Sequence, residues 1–369
     1  MMIQKKLYTV CAGFDGNTCK THSRMAVTKD GTLLLTSALL HISGNDWFEP
    51  PTLRKSRTGP MGLDQAADEP QPALCRIAPE TFVNPVPKLH QATGKVLITG
   101  NNLQYIPADR QPDPANPLYV FDEHSPRYTC YAVYDDESGA YGEVRPLLLR
   151  ETGKPVEGYN SGCCDRVDGE DGRIYLPAYC PGNGVTVMEC TFDGETLTAE
   201  RIMPKIDRED EVRGLCEPSL TQMGDLWLLG LRGDSRAYYA LSNSPLGFRE
   251  ALPLVWETGY TVPTFNTQVK WLRLGGRLYL VYTRRTGTNE HVFRCRAPLF
   301  MAEFDVNRLC LLRDTEIPLT PERGARCGNF GVTEASDDHA YVVTTEWMQP
   351  KGCEKYGSDN AVFIAELTV

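Results

Sequence analysis

No long apolar stripe of helical period occurs in the 369 residues, so helix is predicted to be a minor component. Positive charge is scarce as well, because 38 Lys and Arg face 48 Asp and Glu and give a net charge of -10. An acidic chain is poorly suited to the phosphates of nucleic acid, so a nucleic-acid partner is excluded. The phosphate-loop motif of nucleotide-binding proteins is also missing.

The amino terminus, MMIQKKLYTVC, has lysines but no following apolar run. Neither a signal peptide nor a transmembrane helix is therefore expected, and no membrane partner. The thirteen cysteines are odd in number, which fits reduced thiols in a cytoplasmic protein. No Cys-x-x-Cys is present and Cys163 and Cys164 are adjacent, so we expect no metal ion and no cofactor.

What the chain does contain is a recurring β-hairpin. Apolar, β-rich runs flank short turns of the Asp-Gly kind six times, which predicts six hairpins. The turns are Asp30-Gly31, Thr93-Gly94, Asp171-Gly172, Gly224-Asp225, Gly275-Gly276 and Asp337-Asp338. Most are followed by a further alternating segment, so each unit is predicted to hold four short strands.

Such radial repeats predict an all-β, six-bladed β-propeller of four-stranded antiparallel blades, forming a single domain over residues 1–369. The amino-terminal strand, residues 6–11, is expected to complete the last blade and remove its free edge. Residues 49–82 and 101–118 are rich in Pro and Asp and are predicted to be long loops on one face.

The hairpin GLCEPSLTQMGDLWLLGLR, residues 214–232, carries a carboxylate at one end and a guanidinium at the other. Because its two strands are antiparallel, Glu217 and Arg232 are predicted to lie at the same end of the sheet. A structural ion pair and a role in substrate binding are both compatible with this arrangement.

The fifth unit is rich in polar groups. Strand alternation in FNTQVKW is expected to place Asn266 and Gln268 on one face, and alternation in FRCR is expected to point Arg294 and Arg296 the same way. A guanidinium binds a carboxylate or sulfate well, so an acidic sugar is a reasonable ligand. His291 is a further candidate for ligand binding, or a packed histidine.

Five positions in chain order resemble the sialidase-like six-bladed propellers with their scattered BNR repeats. They are Arg24, Asp46, Glu217, Arg232 and either Arg294 or Arg296. The resemblance implies that the arginines clamp a substrate carboxylate, that Asp46 is the acid/base, and that Glu217 supports a tyrosine nucleophile. The family's Asp-box turn is present in incomplete form, as the Asp-Gly turn at Asp193-Gly194.

One departure from the family concerns the nucleophile. Where a sialidase has its tyrosine, opening the last blade, this chain has Asn329-Phe330, which has no hydroxyl that could attack. Tyr260 and Tyr282 are possible substitutes. A related glycosidase that works through carboxylates is then favoured, with Asp46 and Glu217 as the pair.

The sequence thus predicts an exo-acting glycoside hydrolase that cleaves a terminal, acidic sugar from a small glycan. Asp46 and Glu217 would be catalytic, and Arg24, Arg232, Arg294, Arg296, His291, Asn266, Gln268 and Trp47 would bind substrate. The alternatives are a glycan-binding or protein-binding propeller without chemistry, a five-bladed furanosidase or phosphorylase, and a lyase.

Overall fold

The structure is a computed structural model, and it describes residues 3–44, 46–75, 80–105 and 125–369. These residues form 27 strands, which pair into six sheets. One α-helix, α1 (Pro60–Gln65), and short 3-10 turns at Pro72–Cys75, Phe293–Cys295, Arg313–Thr315 and Cys353–Tyr356 are the helical segments of the described chain.

Each sheet is one blade, and the first strand, β1 (Gln4–Cys11), belongs to the last blade. Blade 1 contains β2 (Thr18–Val27), β3 (Leu33–His41), β4 (Thr52–Ser56) and β5 (Glu69–Pro70). Blade 2 contains β6 (Glu80–His90), β7 (Lys95–Gln104), β8 (Thr129–Asp135), β9 (Ala140–Tyr141) and β10 (Arg145–Pro146). Blade 3 contains β11 (Leu148–Leu149), β12 (Val167–Asp168), β13 (Ile174–Tyr179), β14 (Val185–Phe192) and β15 (Leu197–Ile202).

The second half of the ring repeats the pattern. Blade 4 contains β16 (Cys216–Met223), β17 (Leu226–Arg232), β18 (Ala237–Ser242) and β19 (Leu252–Pro253). Blade 5 contains β20 (Lys270–Leu274), β21 (Arg277–Tyr282), β22 (Phe300–Asp305), β23 (Cys310–Leu311) and β24 (Ile317–Pro318). Blade 6 contains β25 (Gly331–Ser336), β26 (His339–Thr345) and β27 (Val362–Thr368), and β1 pairs with β27.

The prediction of a six-bladed all-β propeller is confirmed, and the five-bladed alternative is wrong. All six predicted turns join consecutive antiparallel strands of one blade, and the amino-terminal strand closes the ring as expected. Closure by β1 pairs the edge of β27, which would otherwise be open to other strands. In the β14–β15 turn the Asp193 carboxylate accepts hydrogen bonds from the backbone N–H groups of Glu195 and Thr196.

One expectation about the loops is wrong. Residues 49–82 are not a long face loop, because they contain β4, α1, β5 and the start of β6. Leu53 on β4 and Leu63 on α1 are fully buried, so these proline-interrupted strands of blade 1 are held by packing. Of residues 101–118, the first four continue β7, and positions 106–118 lie outside the described residues.

The core lies between neighbouring blades. Leu272 and Val281 of blade 5, for example, pack against Val342 and Ala365 of blade 6, and all four are buried. Each blade therefore hides its apolar faces against its neighbours, and the inner strands are held around a common centre.

Three further properties concern only the described part of the chain. None of its helices is long and apolar enough to cross a membrane. Its twelve described cysteines are free thiols. No group of three or more His, Cys, Asp or Glu side chains among these residues is arranged to hold a metal ion.

Candidate active site at the centre of the propeller

Five blades share an unusual backbone conformation at one residue in, or shortly before, the innermost strand. His22, Asn84, Cys163, Glu217 and Asn266 have φ values of 48°, 56°, 62°, 46° and 47°, a region that non-glycine residues rarely adopt. Each lies about eight residues before the hairpin turn of its own blade, and the ladder register shifts at three of them. These bulges turn polar side chains toward the centre, and backbone strain of this kind is typical of functional sites.

Glu217 and Arg232 form the ion pair at the centre. One carboxylate oxygen of Glu217 accepts a hydrogen bond from Arg232 at 2.5 Å, and the other accepts one from the Gln268 amide at 3.0 Å. Burial opposes ionisation, but the Arg232 charge outweighs it and lowers the pKa of Glu217 to about 2. Glu217 is therefore an ionised carboxylate at neutral pH.

Asn266 connects several arginines at this centre. Its side-chain oxygen accepts hydrogen bonds from Arg232 at 3.0 Å, Arg213 at 2.9 Å and Arg294 at 3.5 Å. Its backbone carbonyl accepts from Arg296 at 3.0 Å. Arg296 is buried and forms no ion pair with a described residue, so burial and the Arg232 charge hold the pKa of its guanidinium well below the usual range.

Arg24 approaches the same centre from blade 1. It donates to the Gln268 side-chain oxygen at 3.5 Å and to the Cys163 sulfur at 3.8 Å. Its Nε has no acceptor among the described residues, although the side chain is only 2% exposed. Arg24, Arg232 and Arg296 are thus brought together around Glu217. Nε of Arg24 can still donate a hydrogen bond there.

The position of Arg24 depends on a close approach of Gly331 in blade 6. A Cβ at Gly331 would lie 2.6 Å from Cδ of Arg24, so Gly331→Ala is expected to displace that guanidinium and to cost about 1–3 kcal/mol of unfolding free energy. Urea denaturation measures this cost, with Gly142→Ala as the control, because a Cβ there meets only Val133 at 3.5 Å. Equal stability of the two variants would contradict the assigned position of Arg24.

Blade 6 supplies an amide where the resemblance implies a tyrosine. Asn329 lies 3.4 Å from the Gln268 amide and 2.6 Å from the His22 ring, whereas Phe330 turns away into the apolar core. Burial and the Arg24 charge lower the pKa of His22 to about 3, so the ring is neutral at neutral pH. No nucleophile is present at these two positions.

Asp46 lies in the loop between β3 and β4, where its own φ is 54°. The Tyr105 hydroxyl donates to its backbone carbonyl at 3.0 Å and fixes the loop. Burial raises the pKa of the Asp46 carboxyl, the charge of Glu217 adds to this, and Arg326 opposes it. An acid with a raised pKa, within electrostatic range of an ionised carboxylate, is the arrangement from which proton donors are built.

Trp47 follows Asp46 and lies at the rim. Its indole stacks on His41 with ring centroids 4.1 Å apart, and 38% of the residue stays exposed. Part of the indole is therefore open to solvent next to Asp46 in the chain.

Two expectations about blade 5 are modified. Arg294 and Arg296 do not alternate along a strand, because Phe293–Cys295 is a 3-10 turn in which Arg294 has a φ of 56°. Both side chains reach Asn266 nonetheless, one at its amide oxygen and one at its carbonyl. Asn266 and Gln268 also precede β20 and are not part of it, although both reach the centre.

Three other candidates lie away from the centre. His291 bonds to Glu322 at 3.1 Å and stacks against Tyr356. Tyr260 is 77% exposed, and the buried Tyr282 hydroxyl donates to Glu316 at 2.5 Å. Neither tyrosine is placed to act as a nucleophile at Glu217.

Two residues at the site were missed by the sequence analysis. Tyr179 ends β13, and burial together with the Glu217 charge raises the pKa of its hydroxyl well above the usual range. Arg326, which is 9% exposed, lies close enough to Asp46 to oppose the rise in its pKa. Only the position of Arg326 just before the last inner strand could have signalled its role.

Comparisons with known proteins give a fold. No family model matches the chain, and no curated protein matches it. A protein of unknown function from Dyadobacter fermentans superposes with a TM-score of 0.66 at 14% identity, covering 100% of this chain and 99% of that one.

Several other similar structures are sialidases. Trypanosoma rangeli sialidase in complex with the inhibitor DANA has a TM-score of 0.60 at 11% identity, over 98% of this chain and 59% of that one. NanB sialidase from Streptococcus pneumoniae has a TM-score of 0.58 at 9% identity, over 96% of this chain and 68% of that one. This chain thus spans about three fifths of the trypanosomal enzyme. Its six blades have the sialidase-like β-propeller fold.

Proposed function

We propose that the chain is an exo-acting glycoside hydrolase that cleaves a terminal acidic sugar from a small glycan. The observation that carries this proposal is the unbalanced positive charge of the centre. Arg24 and Arg296 are almost fully buried, yet neither forms an ion pair with any of the described residues. Buried charges without partners are costly, so an anionic group of a ligand is the natural counterion.

The three arginines suit a carboxylate in geometry as well as in charge. Arg24 and Arg232 contact Gln268 and Glu217, and Arg296 shares Asn266 with Arg232. Planar guanidinium groups that converge from three blades bind a carboxylate with several charge-assisted hydrogen bonds. An uncharged terminal sugar would leave these donors unused.

The two carboxyl groups divide the chemistry. Asp46, with its raised pKa, donates a proton to the oxygen of the departing group. Glu217 stays ionised on the Arg232 side and acts as the base or nucleophile partner. The Asn329-Phe330 replacement supports a mechanism through carboxylates instead of a tyrosine in the last blade.

A second candidate function is a glycan-binding propeller without chemistry. It is favoured by one observation, that both oxygens of Glu217 are already occupied by Arg232 and Gln268. A carboxylate held in this way stabilises positive charge well but is a weak base. Such a protein would bind the acidic sugar and leave the glycosidic bond intact.

Activity assays on the parent and two variants separate these functions. The substrates are aryl glycosides together with uronate and sialate oligosaccharides, and the variants are Glu217→Gln and Asp46→Asn. The proposal predicts turnover of at least one acidic substrate by the parent and loss of most of it in both variants. Asp225→Asn, in the exposed turn at the far end of the Glu217 hairpin, is the matched control. Binding without turnover would support the second candidate, and unaltered turnover in both variants would contradict the assignment.

A further inference from the structure

A cavity lies between the segment that precedes β25 and the connection from β26 to β27. Its volume is about 130 Å³, close to that of cavities that hold one six-membered ring. We name it the rim cavity, and the residues that define it here are Phe293, Arg326, Trp347, Gln349, Lys351 and Tyr356.

The rim cavity combines aromatic faces with positive charge. The Arg326 guanidinium lies 3.8 Å from the centre of the Trp347 ring and 4.9 Å from that of Phe293. Phe293 and Tyr356 remain 40% and 46% exposed, so two aromatic side chains at this cavity are open to solvent. Lys351 is exposed at the edge. Aromatic faces with a few directed polar groups are typical of sites for small rings.

Two buried donors of this cavity lack acceptors. Nε of Arg326 and Nε1 of Trp347 have no hydrogen-bond partner among the residues that the structure describes, although these side chains are only 9% and 6% exposed. A buried donor without an acceptor costs about 1–3 kcal/mol, so an oxygen that came within hydrogen-bonding distance of either atom would offset that cost. Glu322 does not fill this role, because it bonds to His291 and to the Gly324 backbone.

Gln349 joins the rim cavity to the loop that carries Asp46. Its side-chain oxygen accepts from Arg326 at 3.0 Å, and its amide donates to the carbonyls of Ile42 and Gly44 at 3.0 Å each. The cavity is therefore on the Asp46 side of the centre. In the proposed hydrolase this is the side on which the departing group takes up its proton.

We propose that the rim cavity binds the departing ring of the substrate and selects a ring that carries an oxyanion, a sulfate or a carboxylate. The exposed parts of Phe293 and Tyr356 contact the ring, and Arg326 with Lys351 bind the oxyanion. The role of the bound ring as the departing group rests on the proposed hydrolase. The existence of an anionic ring site does not depend on it.

Binding of simple sugars tests the site without any turnover. Galactose 6-sulfate, galacturonate and galactose are titrated into the parent, Lys351→Ala and Tyr356→Ala, and tryptophan fluorescence and calorimetry are recorded. Both substitutions are at exposed positions, so folding is expected to be preserved. Tyr260→Ala is the matched control, because this exposed tyrosine lies between β19 and β20 and does not line the cavity.

The parent is expected to bind at least one anionic sugar about 10-fold more tightly than galactose, which corresponds to about 1.4 kcal/mol. Lys351→Ala is expected to remove most of this preference for the anionic sugar. Tyr356→Ala is expected to lower the affinity for all three sugars. Preference for the sulfate or for the carboxylate identifies the oxyanion. Equal binding of the three sugars by the parent, or identical binding by the parent and both variants, would overturn the proposal.

A turnover arm distinguishes failure of this inference from failure of the proposed function. If the parent cleaves acidic glycosides, a sulfated departing ring should lower KM relative to its neutral counterpart, and Lys351→Ala should abolish the difference. If the parent cleaves nothing yet binds anionic rings through Lys351 and Tyr356, the hydrolase is wrong and the anionic ring site stands. Cleavage with no preference for the departing ring would overturn the inference and leave the hydrolase intact.

Discussion

The Asp46→Asn substitution is expected to lower kcat/KM by about 10²- to 10⁴-fold for glycosides with an alkoxide leaving group, the contribution typical of a positioned proton donor. Asparagine has nearly the same shape but no proton of suitable acidity. Burial raises the pKa of Asp46, so the parent keeps its proton to higher pH than an exposed aspartate, and its activity should fall as pH rises through that pKa. The variant should lose this alkaline limb.

The leaving group supplies the control for this prediction. A dinitrophenolate departs without protonation, so the same variant should cleave dinitrophenyl glycosides at close to the parental rate. A uniform loss across all leaving groups would indicate damage to binding or folding instead. Retention of full activity on alkyl glycosides would remove Asp46 from the mechanism.

The Glu217→Gln substitution is expected to lower the free energy of unfolding by about 3–5 kcal/mol at neutral pH, because it leaves the buried Arg232 without its counterion. Arg296 is close enough for its positive charge to repel the uncompensated charge of Arg232, which adds to the loss of stability. Denaturation by urea at pH 7 measures this loss. Glu334→Gln is the matched control, since its pair with Arg273 is half exposed and such pairs contribute about 0–1 kcal/mol.

The pH dependence of the same comparison has a defined sign. Folding lowers the pKa of Glu217 from 4.5 to about 2, so its stabilising effect is fully present above pH 4.5 and disappears as pH falls toward 2. The difference in stability between parent and Glu217→Gln should therefore shrink across this interval. A difference that stays constant from pH 7 to pH 3 would show that the Glu217 charge does not stabilise the fold.

The blades could be predicted because their information is local. Each inner hairpin can be recognised by the alternation of apolar and polar residues on both sides of a short turn, as in the Gly224-Asp225 hairpin. Antiparallel pairing of its strands then places Glu217 and Arg232 at the same end of the sheet. Blade 1 was harder. Its outer strands, β4 and β5, are short and lie among prolines, and packing around Leu53 and Leu63 holds them, not local propensity.

The site could be predicted only in part, because its geometry is not local. The bulges at His22 and Glu217 arise where inner strands meet around the centre, and no local pattern announces a positive φ at a histidine or a glutamate. Tyr179, at the end of β13, and Arg326, in the segment before β25, reach the site in directions that depend on ring closure. Alternation suggested the right pair at Asn266 and Gln268, although neither lies in a strand.

Binding of a sugar acid beside its own methyl ester tests the central claim, that the buried arginines hold a substrate carboxylate. Calorimetric titration of the parent with N-acetylneuraminate and glucuronate, each compared with its ester, removes only the charge. We predict that at least one acid binds about 10- to 100-fold more tightly than its ester, as hydrogen bonds to a charged group imply. Equal affinity of acid and ester for both sugars would contradict the claim.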